Sequence, residues 1–389
     1  MVTVRTVSLT VTLGGTILID VESARGEIVA DSGWPTCSVF VKSYPYVDND
    51  PIGTPEDPAI PLDEGQPIEV VAGAGNDVVR FTGRVRRFRP SAFPKAIEIV
   101  ATGTLAYANE WSPATDFRFG HNEEFPDGSV GFFPDGATDQ EIIQFVLDQV
   151  PNVSYDAGNI DGTGVTLGTS APSAFDWKAG TTAWSYIQEL DRATLYRTYQ
   201  DRTGEIRRVR MIGHPNSTED FTLAPGDMLD GSSASRDTER TRNAVEVRAH
   251  DYGSGAGPFL GSAYGSNSFQ GDGADPAKRH VEVFDSDLIE SGNDALGNPF
   301  DLGGLVADDI AATILPDVDK EFVEAGIPSW RDDTHGPGLT CLVNALDRLR
   351  VEEPMWVQRY GWEVGENGWV ATYGLTGGGL PQDYTPPPV

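Results

Sequence analysis

The residues best suited to chemistry in this chain are its carboxylates and its 5 histidines. Adjacent acids occur at Asp308 and Asp309, Asp332 and Asp333, and Glu352 and Glu353. A carboxylate pair cleaves a glycosidic bond when one partner is a raised-pKa acid and the other sits at a set distance across a cleft. With 59 Asp and Glu in the chain, adjacency arises without any cleft, so these pairs read as solvated surface. The histidines His121, His214, His250, His280 and His335 form neither HExxH nor H-x-H spacing. His335 lies in a polar run from Arg331 to Pro337, which reads as a loop before a strand rather than a metal site. There is no G-x-S-x-G elbow, no Walker loop and no EF-hand spacing. The glycines from Gly253 to Gly257 lack the lysine and the following helix that phosphate binding needs. The reading assigns no catalytic, cofactor or metal residue and expects no enzyme. Cys37 and Cys341 read as two buried reduced thiols rather than a disulfide.

Charge narrows the partners. The formal net charge is −31, with 59 acidic against 28 basic residues. Such a chain is repelled by nucleic-acid phosphate and by anionic membranes. The acidity serves solubility or salt adaptation, or it makes a wall that DNA slides past without sticking. Against this background Arg84, Arg86, Arg87 and Arg89 cluster on one strand. Arginine forms bidentate bonds to carboxylates, so the stripe either faces a neighbouring subunit or neutralises the chain's own acids. A second cluster is aromatic: Trp111, Phe117, Phe119, Phe125, Phe132 and Phe133. These suit a docking loop whose anchors a partner buries, or they pack beneath the loop onto a neighbouring unit.

The elements that position these residues are mostly strands. A length of 389 residues calls for two or three domains. Gly 44 and Pro 27 with short β-rich runs favour a loop-rich, mainly β chain. No apolar run approaches the ~20 residues of a transmembrane helix, and the N-terminus lacks a signal-peptide pattern. Residues 1–110 read as β, with a hairpin turn at Gly14 and Gly15 and a long loop over 44–66. Runs at 68–71, 78–88 and 96–101 form a β-meander. Residues 111–230 read as an α+β unit. Thr138 and Glu141 make a capping box, with Ile142, Ile143, Val146 and Val150 at helical spacing and Pro151 as the stop. A second helix spans about 182–195, with Trp184, Ile187 and Leu190 on one face, followed by a hairpin. Residues 231–389 return to β. They carry a long Gly/Ser-rich loop over 251–276, a third helix over 302–315, a closing hairpin over 355–376 and a Pro-rich tail.

The meander, with Phe81, Gly83 and Val85 in its middle strand, resembles the first barrel of phage tail-hub proteins. The order of the later elements is similar to the same family: the Trp184 helix, its aromatic hairpin, and the closing hairpin. The link from Ala193 to Tyr196 lacks the glycine the family often has there. The resemblance implies two tube-like β-barrel domains (1–110 and 231–389) flanking a small α+β domain (111–230). It also implies a structural virion protein made in the host cytoplasm and placed at the tail tip. Such a hub is a homotrimer closing the distal end of a tail tube, with a tail-tube or distal tail protein above and tip or fibre proteins below. Duplicated barrels would bridge sixfold and threefold symmetry, and DNA would pass through an acidic lumen without specific binding. The rival readings are a carbohydrate-binding adhesin using exposed Trp356, Tyr360 and Trp369, or a cell-wall polysaccharide hydrolase.

Overall fold

The computed structural model describes residues 7–377 apart from internal stretches, the longest being 52–62, 120–127, 168–175, 211–218, 252–258, 302–310, 312–321 and 344–353. The N-terminal part is built of β1 (Ser8–Leu13), β2 (Thr16–Ile17), β3 (Val21–Val29), β4 (Thr36–Lys42), a short β5–β6 pair (Tyr46–Val47 and Asp50–Pro51), β7 (Pro67–Gly73), β8 (Val78–Ser91) and β9 (Ala96–Thr102). Gly14 and Gly15 both take positive φ, 58° and 87°, as the tight β1–β2 turn demands. The expected meander is present as β7–β8–β9, antiparallel throughout.

Residues 104–210 form the α+β unit. A 3-10 turn (Thr104–Asn109) leads to the parallel pair β10 (Phe117–Phe119) and β11 (Val130–Phe132). The antiparallel pair β12 (Ala137–Thr138) and β13 (Thr166–Leu167) brackets α1 (Asp139–Gln149). Then come α2 (Ala183–Thr194) and the hairpin β14 (Tyr196–Gln200) and β15 (Ile206–Arg210). The capping box closes as expected: Glu141 N–H donates to the Thr138 hydroxyl at 3.2 Å, and Thr138 N–H donates to the Glu141 carboxylate at 2.8 Å. Helix α2 ends without glycine. Leu195 itself takes the left-handed conformation at φ 62°, and its buried side chain holds it there.

The C-terminal part contributes β16 (Phe221–Leu223), β17 (Ser233–Asp237), β18 (Ala244–Asp251), β19 (Phe259–Tyr264), β20 (Ser266–Asn267), β21 (Gly271–Asp272), β22 (Val281–Asn293), β23 (Pro299–Asp301), β24 (Phe322–Ser329), β25 (Thr340–Val343), β26 (Met355–Gly365) and β27 (Gly368–Thr376). The stretch expected as one long loop over 251–276 therefore holds strands β19 to β21. Its small and polar residues hid the pairing of β19 with β18 and of β20 with β21. The third expected helix falls outside the described residues except for Ala311, as does the Pro-rich tail.

The two β regions do not stand apart. A 13-stranded sheet runs β17-β24-β27-β26-β3-β4-β9-β8-β7-β1-β2, with β25 and β16 added at β26. The join is antiparallel pairing of β3 with β26, from Val29 opposite Arg359 to Ala24 opposite Val364. The fold class is mainly β with an α+β insertion, as expected, but no closed barrel forms among the described residues: the sheet path ends at β2 and β17. The reason is that β3 offers a free edge opposite β4, and the last strands of the chain occupy it. Periodicity shows which face of a strand is buried, not which strand lies beside it.

One hydrophobic core fills the inner face of this sheet, drawing on Val11, Val39, Val70 and Ile99 from the N-terminal strands and on Ile327, Val357, Tyr373 and Leu375 from the C-terminal ones. A second core lies in the α+β unit, where Ile142, Ile143 and Val146 of α1 meet Ile187 and Leu190 of α2, together with Val245 and Val247 of β18. A seam joins the two. Gly33 takes φ 82°, and a Cβ there would lie 2.0 Å from the Trp184 ring. Trp184 also meets Trp34 edge-on at 5.4 Å. Gln200 bonds across the seam, its backbone N–H donating to the Gly33 carbonyl at 2.7 Å.

Candidate functional site

The arginine stripe depends on a bulge. From Phe81 to Val85 the odd residues of β8 point inward, and Phe81 and Val85 are buried. Strand pairing with β9 then skips one residue: Val85 lies opposite Ala101, but Arg87 lies opposite Val100. Arg86 is the extra residue. The bulge reverses the alternation, so Phe88 packs against the core while Arg87 and Arg89 are exposed on the outer face. Without it, both arginines would point into the core.

The stripe is only partly free. Arg84 donates to the Gly65 carbonyl at 3.1 Å. Arg86 pairs with Glu110 at 2.8 Å, donates to the Thr102 hydroxyl at 2.8 Å and lies over the Tyr107 ring at 4.6 Å. Arg89 pairs with Glu98 at 3.0 Å. These contacts match the local-neutralisation alternative. Arg87 is exposed and has no ion pair among the described residues.

The aromatic segment packs inward. Phe132, Phe117, Phe119 and Phe133 surround Phe145 of α1, with ring centroids at 4.5, 5.2, 5.6 and 6.1 Å. Trp111 meets Trp177 at 5.2 Å. Phe119 is fully buried, so it serves the core and offers no docking surface; the other four are half-buried at its rim. Phe125 lies outside the described residues.

Sequence reasoning missed two buried arginines. Arg80 is 1% exposed and is the extra residue of a second bulge, between β7 and β8. Its guanidinium crosses the main core from β8 to the far strands. It donates to the Ala72 carbonyl at 2.9 Å and to the Tyr360 hydroxyl at 3.2 Å, and covers the Trp369 ring at 4.2 Å. Arg208 is 0% exposed and anchors the α+β unit. It pairs with Asp139 at 2.6 Å and Asp191 at 2.7 Å, and donates to the Asp161 carbonyl at 2.7 Å and the Thr194 hydroxyl at 2.6 Å. Asp139 also accepts from the Thr163 hydroxyl at 2.8 Å, and Asp191 from Thr198 N–H at 2.6 Å. Burial disfavours the Arg208 charge, but Asp191 and Asp139 outweigh it and hold its pKa above the usual range. This is a satisfied structural network, closed to solvent.

The described residues bring together neither the paired carboxylates nor the histidines singled out in the sequence. No group of three or more His, Cys, Asp or Glu there is placed to hold a metal ion. The paired carboxylates at 308–309, 332–333 and 352–353, and His121, His214 and His335, lie outside the described residues. His280 has its backbone N–H bonded to the Asn243 side chain at 2.7 Å. Both cysteines are free and buried in the main core. Burial pushes the Cys37 thiol well up and the Cys341 thiol up to about 12. The adhesin reading loses two of its three aromatics: Tyr360 and Trp369 are buried at 1% and 6% exposure, while Trp356 is half-buried. No described helix is long and apolar enough to cross a membrane.

No protein-family model matches the chain, and no curated protein sequence matches it. Solved structures do. A 43 kDa tail protein of prophage MuSo2 from Shewanella oneidensis aligns over 96% of this chain and 98% of its own, with TM-score 0.58 and 12% identity. A tail protein from Neisseria meningitidis MC58 aligns over 95% and 96%, with TM-score 0.60 and 12% identity. The fold is shared with phage tail proteins. Prophage tail protein gp18 from Listeria monocytogenes EGD-e adds a third case, at 94% coverage of both chains, TM-score 0.55 and 8% identity. The likeness covers the joined sheet and the α+β unit alike, so the whole architecture is shared rather than one common motif.

Proposed function

We propose that the chain is a structural virion protein of a phage-type tail: a homotrimeric hub at the distal end of the tail tube. It adapts a hexameric tube to trimeric tip or fibre proteins and lines the channel through which DNA passes. The observation that carries this reading is end-to-end likeness, 94% or more of both chains, to three tail proteins. One further feature supports it. The chain's net charge of −31 suits a channel wall, because carboxylates offer DNA no counterion-release attraction. On this reading the protein is made in the host cytoplasm and ends in the virion. Its neighbours are a tail-tube or distal tail protein and tip or fibre proteins, and the half-buried rims of Trp111, Phe117, Phe132 and Phe133 are available for docking them.

The test is the mass of the purified protein by light scattering across a concentration series, followed by electron microscopy of the largest species. A trimer, or a concentration-dependent step towards one, with threefold rings supports the hub. A strict monomer that binds glycans would overturn it in favour of a binding module. Charge reversal at Arg87, the exposed member of the stripe with no ion pair among the described residues, should weaken ring formation with the fold retained.

A further inference from the structure

The outer face of the main sheet holds a trough of about 520 Å³ where β4, β3, β26 and β27 run side by side. Strand register sets its lining. One row reads Thr36, Glu27, Gly361, Thr372, and the next reads Ser38, Arg25, Glu363, Val370. Both rows face away from the core, since the alternate residues Cys37, Ala24, Trp362 and Ala371 are core members.

Gly361 forms the floor, and nothing in the fold requires a glycine there. A glycine inside a strand weakens it and marks a bulge or a place where another backbone comes close. The bulge explanation fails, because pairing across Gly361 is regular on both sides. Packing does not demand it either. A Cβ at Gly361 would meet its nearest heavy atom, the Gly26 carbonyl oxygen, at an ordinary 3.8 Å. Gly26 is the contrast: a Cβ there would lie 2.8 Å from the Thr36 carbonyl oxygen and 2.9 Å from the Trp362 ring. Gly26 is needed by the fold, whereas Gly361 keeps the trough open to backbone depth.

The charges beside the trough are unequal. Arg359 is engaged by Glu27 at 2.5 Å. Arg25 is exposed, lies over the Phe40 ring at 5.7 Å and stands opposite Glu363 in the strand pairing, with no ion pair closed between them. Arg87 stands in the same cross-strand row, linked through Val100 and Ser38, and is exposed in the same way. Three strand spacings place the two arginines ~14 Å apart, a span for an extended segment of about four residues.

We propose that this trough receives an extended, carboxylate-bearing segment of a second copy of the chain, with Arg25 and Arg87 as ionic anchors and Gly361 as the point of closest backbone approach. It rests on the ring reading above and names the surface that makes the ring. Copies carrying −31 each repel one another, so self-association needs a patch where arginine meets the partner's carboxylates. The self-paired Arg86 and Arg89 are then minor contributors, and the contact shifts from the stripe as a whole to its free member and the trough beside it.

The experiment compares wild type with Arg25→Glu/Arg87→Glu, Gly361→Leu and Gly361→Ala by sedimentation equilibrium, with circular dichroism and thermal melts as folding controls. The charge pair and Gly361→Leu should each weaken self-association by about tenfold or more with unchanged melts. Gly361→Ala, whose Cβ the chain's own fold accepts, should weaken association by a smaller step than Gly361→Leu, because it stands at the point of closest approach. Raising salt should weaken the wild type and leave the charge-reversed variant little changed. If wild type associates and the folded variants match it, the trough is not the contact and this inference fails while the ring reading stands. If wild type is monomeric at every concentration, the ring reading fails and takes the inference with it.

Discussion

The main sheet and the α+β unit each bury an arginine, and the described groups around the two differ. In the main sheet Arg80 meets a carbonyl, a phenol hydroxyl and an indole face. In the α+β unit Arg208 sits between two buried carboxylates, each held in turn by further donors. Removing Arg80 loses these contacts while leaving the apolar packing around them in place. Removing Arg208 strands Asp139 and Asp191 in low dielectric with no cation to answer them. The large sheet is therefore held mainly by apolar burial, which tolerates loss of a polar tie, while the small unit depends on one closed ionic network.

The sharpest way to break this contrast is Arg208→Met. It should cost about 3–5 kcal/mol in a urea melt, because a buried pair loses one partner. Changing Asp139, Asp191 and Arg208 together to apolar residues should recover much of that loss. If Arg208→Met costs under about 1 kcal/mol, the network is not the anchor of its unit.

Alkaline titration probes the other region. Cys341 is a thiol with its pKa raised from 9.0 to about 12 by burial in the main core, opposed by the Leu223 backbone and Arg331. A raised folded pKa favours the protonated form, so this stability is fully present below about pH 9 and is lost as pH rises towards 12. Unfolding free energies from urea melts should hold steady up to pH 9 and then fall by a few kcal/mol, and Cys341→Ala should remove part of the fall, leaving the share of Cys37. Both thiols should resist a disulfide reagent at pH 8 until the sheet unfolds.

Arg80→Met should cost about 1–3 kcal/mol, since the change keeps bulk and loses hydrogen bonds and the contact with Trp369. A cost equal to that of Arg208→Met would erase the distinction between the two regions. Thr138→Ala should cost about 1 kcal/mol by opening the capping box of α1. Smallest of all, Glu98→Ala should change stability by less than about 1 kcal/mol, because its pair with Arg89 lies at the surface. A larger effect would show that Arg89 is held in the folded chain more firmly than a surface pair allows.

The elements that depended on short-range signals were legible from the residues. Helix α1 began where Thr138 and Glu141 said it would, and α2 buried the Trp184, Ile187 and Leu190 face that its spacing announced. The meander, the Gly14–Gly15 turn and the closing hairpin were equally local. The arginine stripe was visible as composition, but its division into paired and free members was not, because Glu98 and Glu110 reach it through folding. Strands β16, β17 and β24 escaped notice, since each gains order from a partner distant in sequence.

The residues alone determined the mainly β class, the small helical unit between the β regions, the acidity and the lack of any recognisable catalytic motif, since each follows from composition or from patterns a few residues long. Only the tertiary structure decided that β3 and β26 join the two β regions into one sheet, that Arg86 bulges so that Arg87 turns outward, and that Gly361 lies at the bottom of a trough. The physical reason is that a strand's periodicity encodes its buried face, while its neighbour is chosen by which free edge and which core the whole chain brings together.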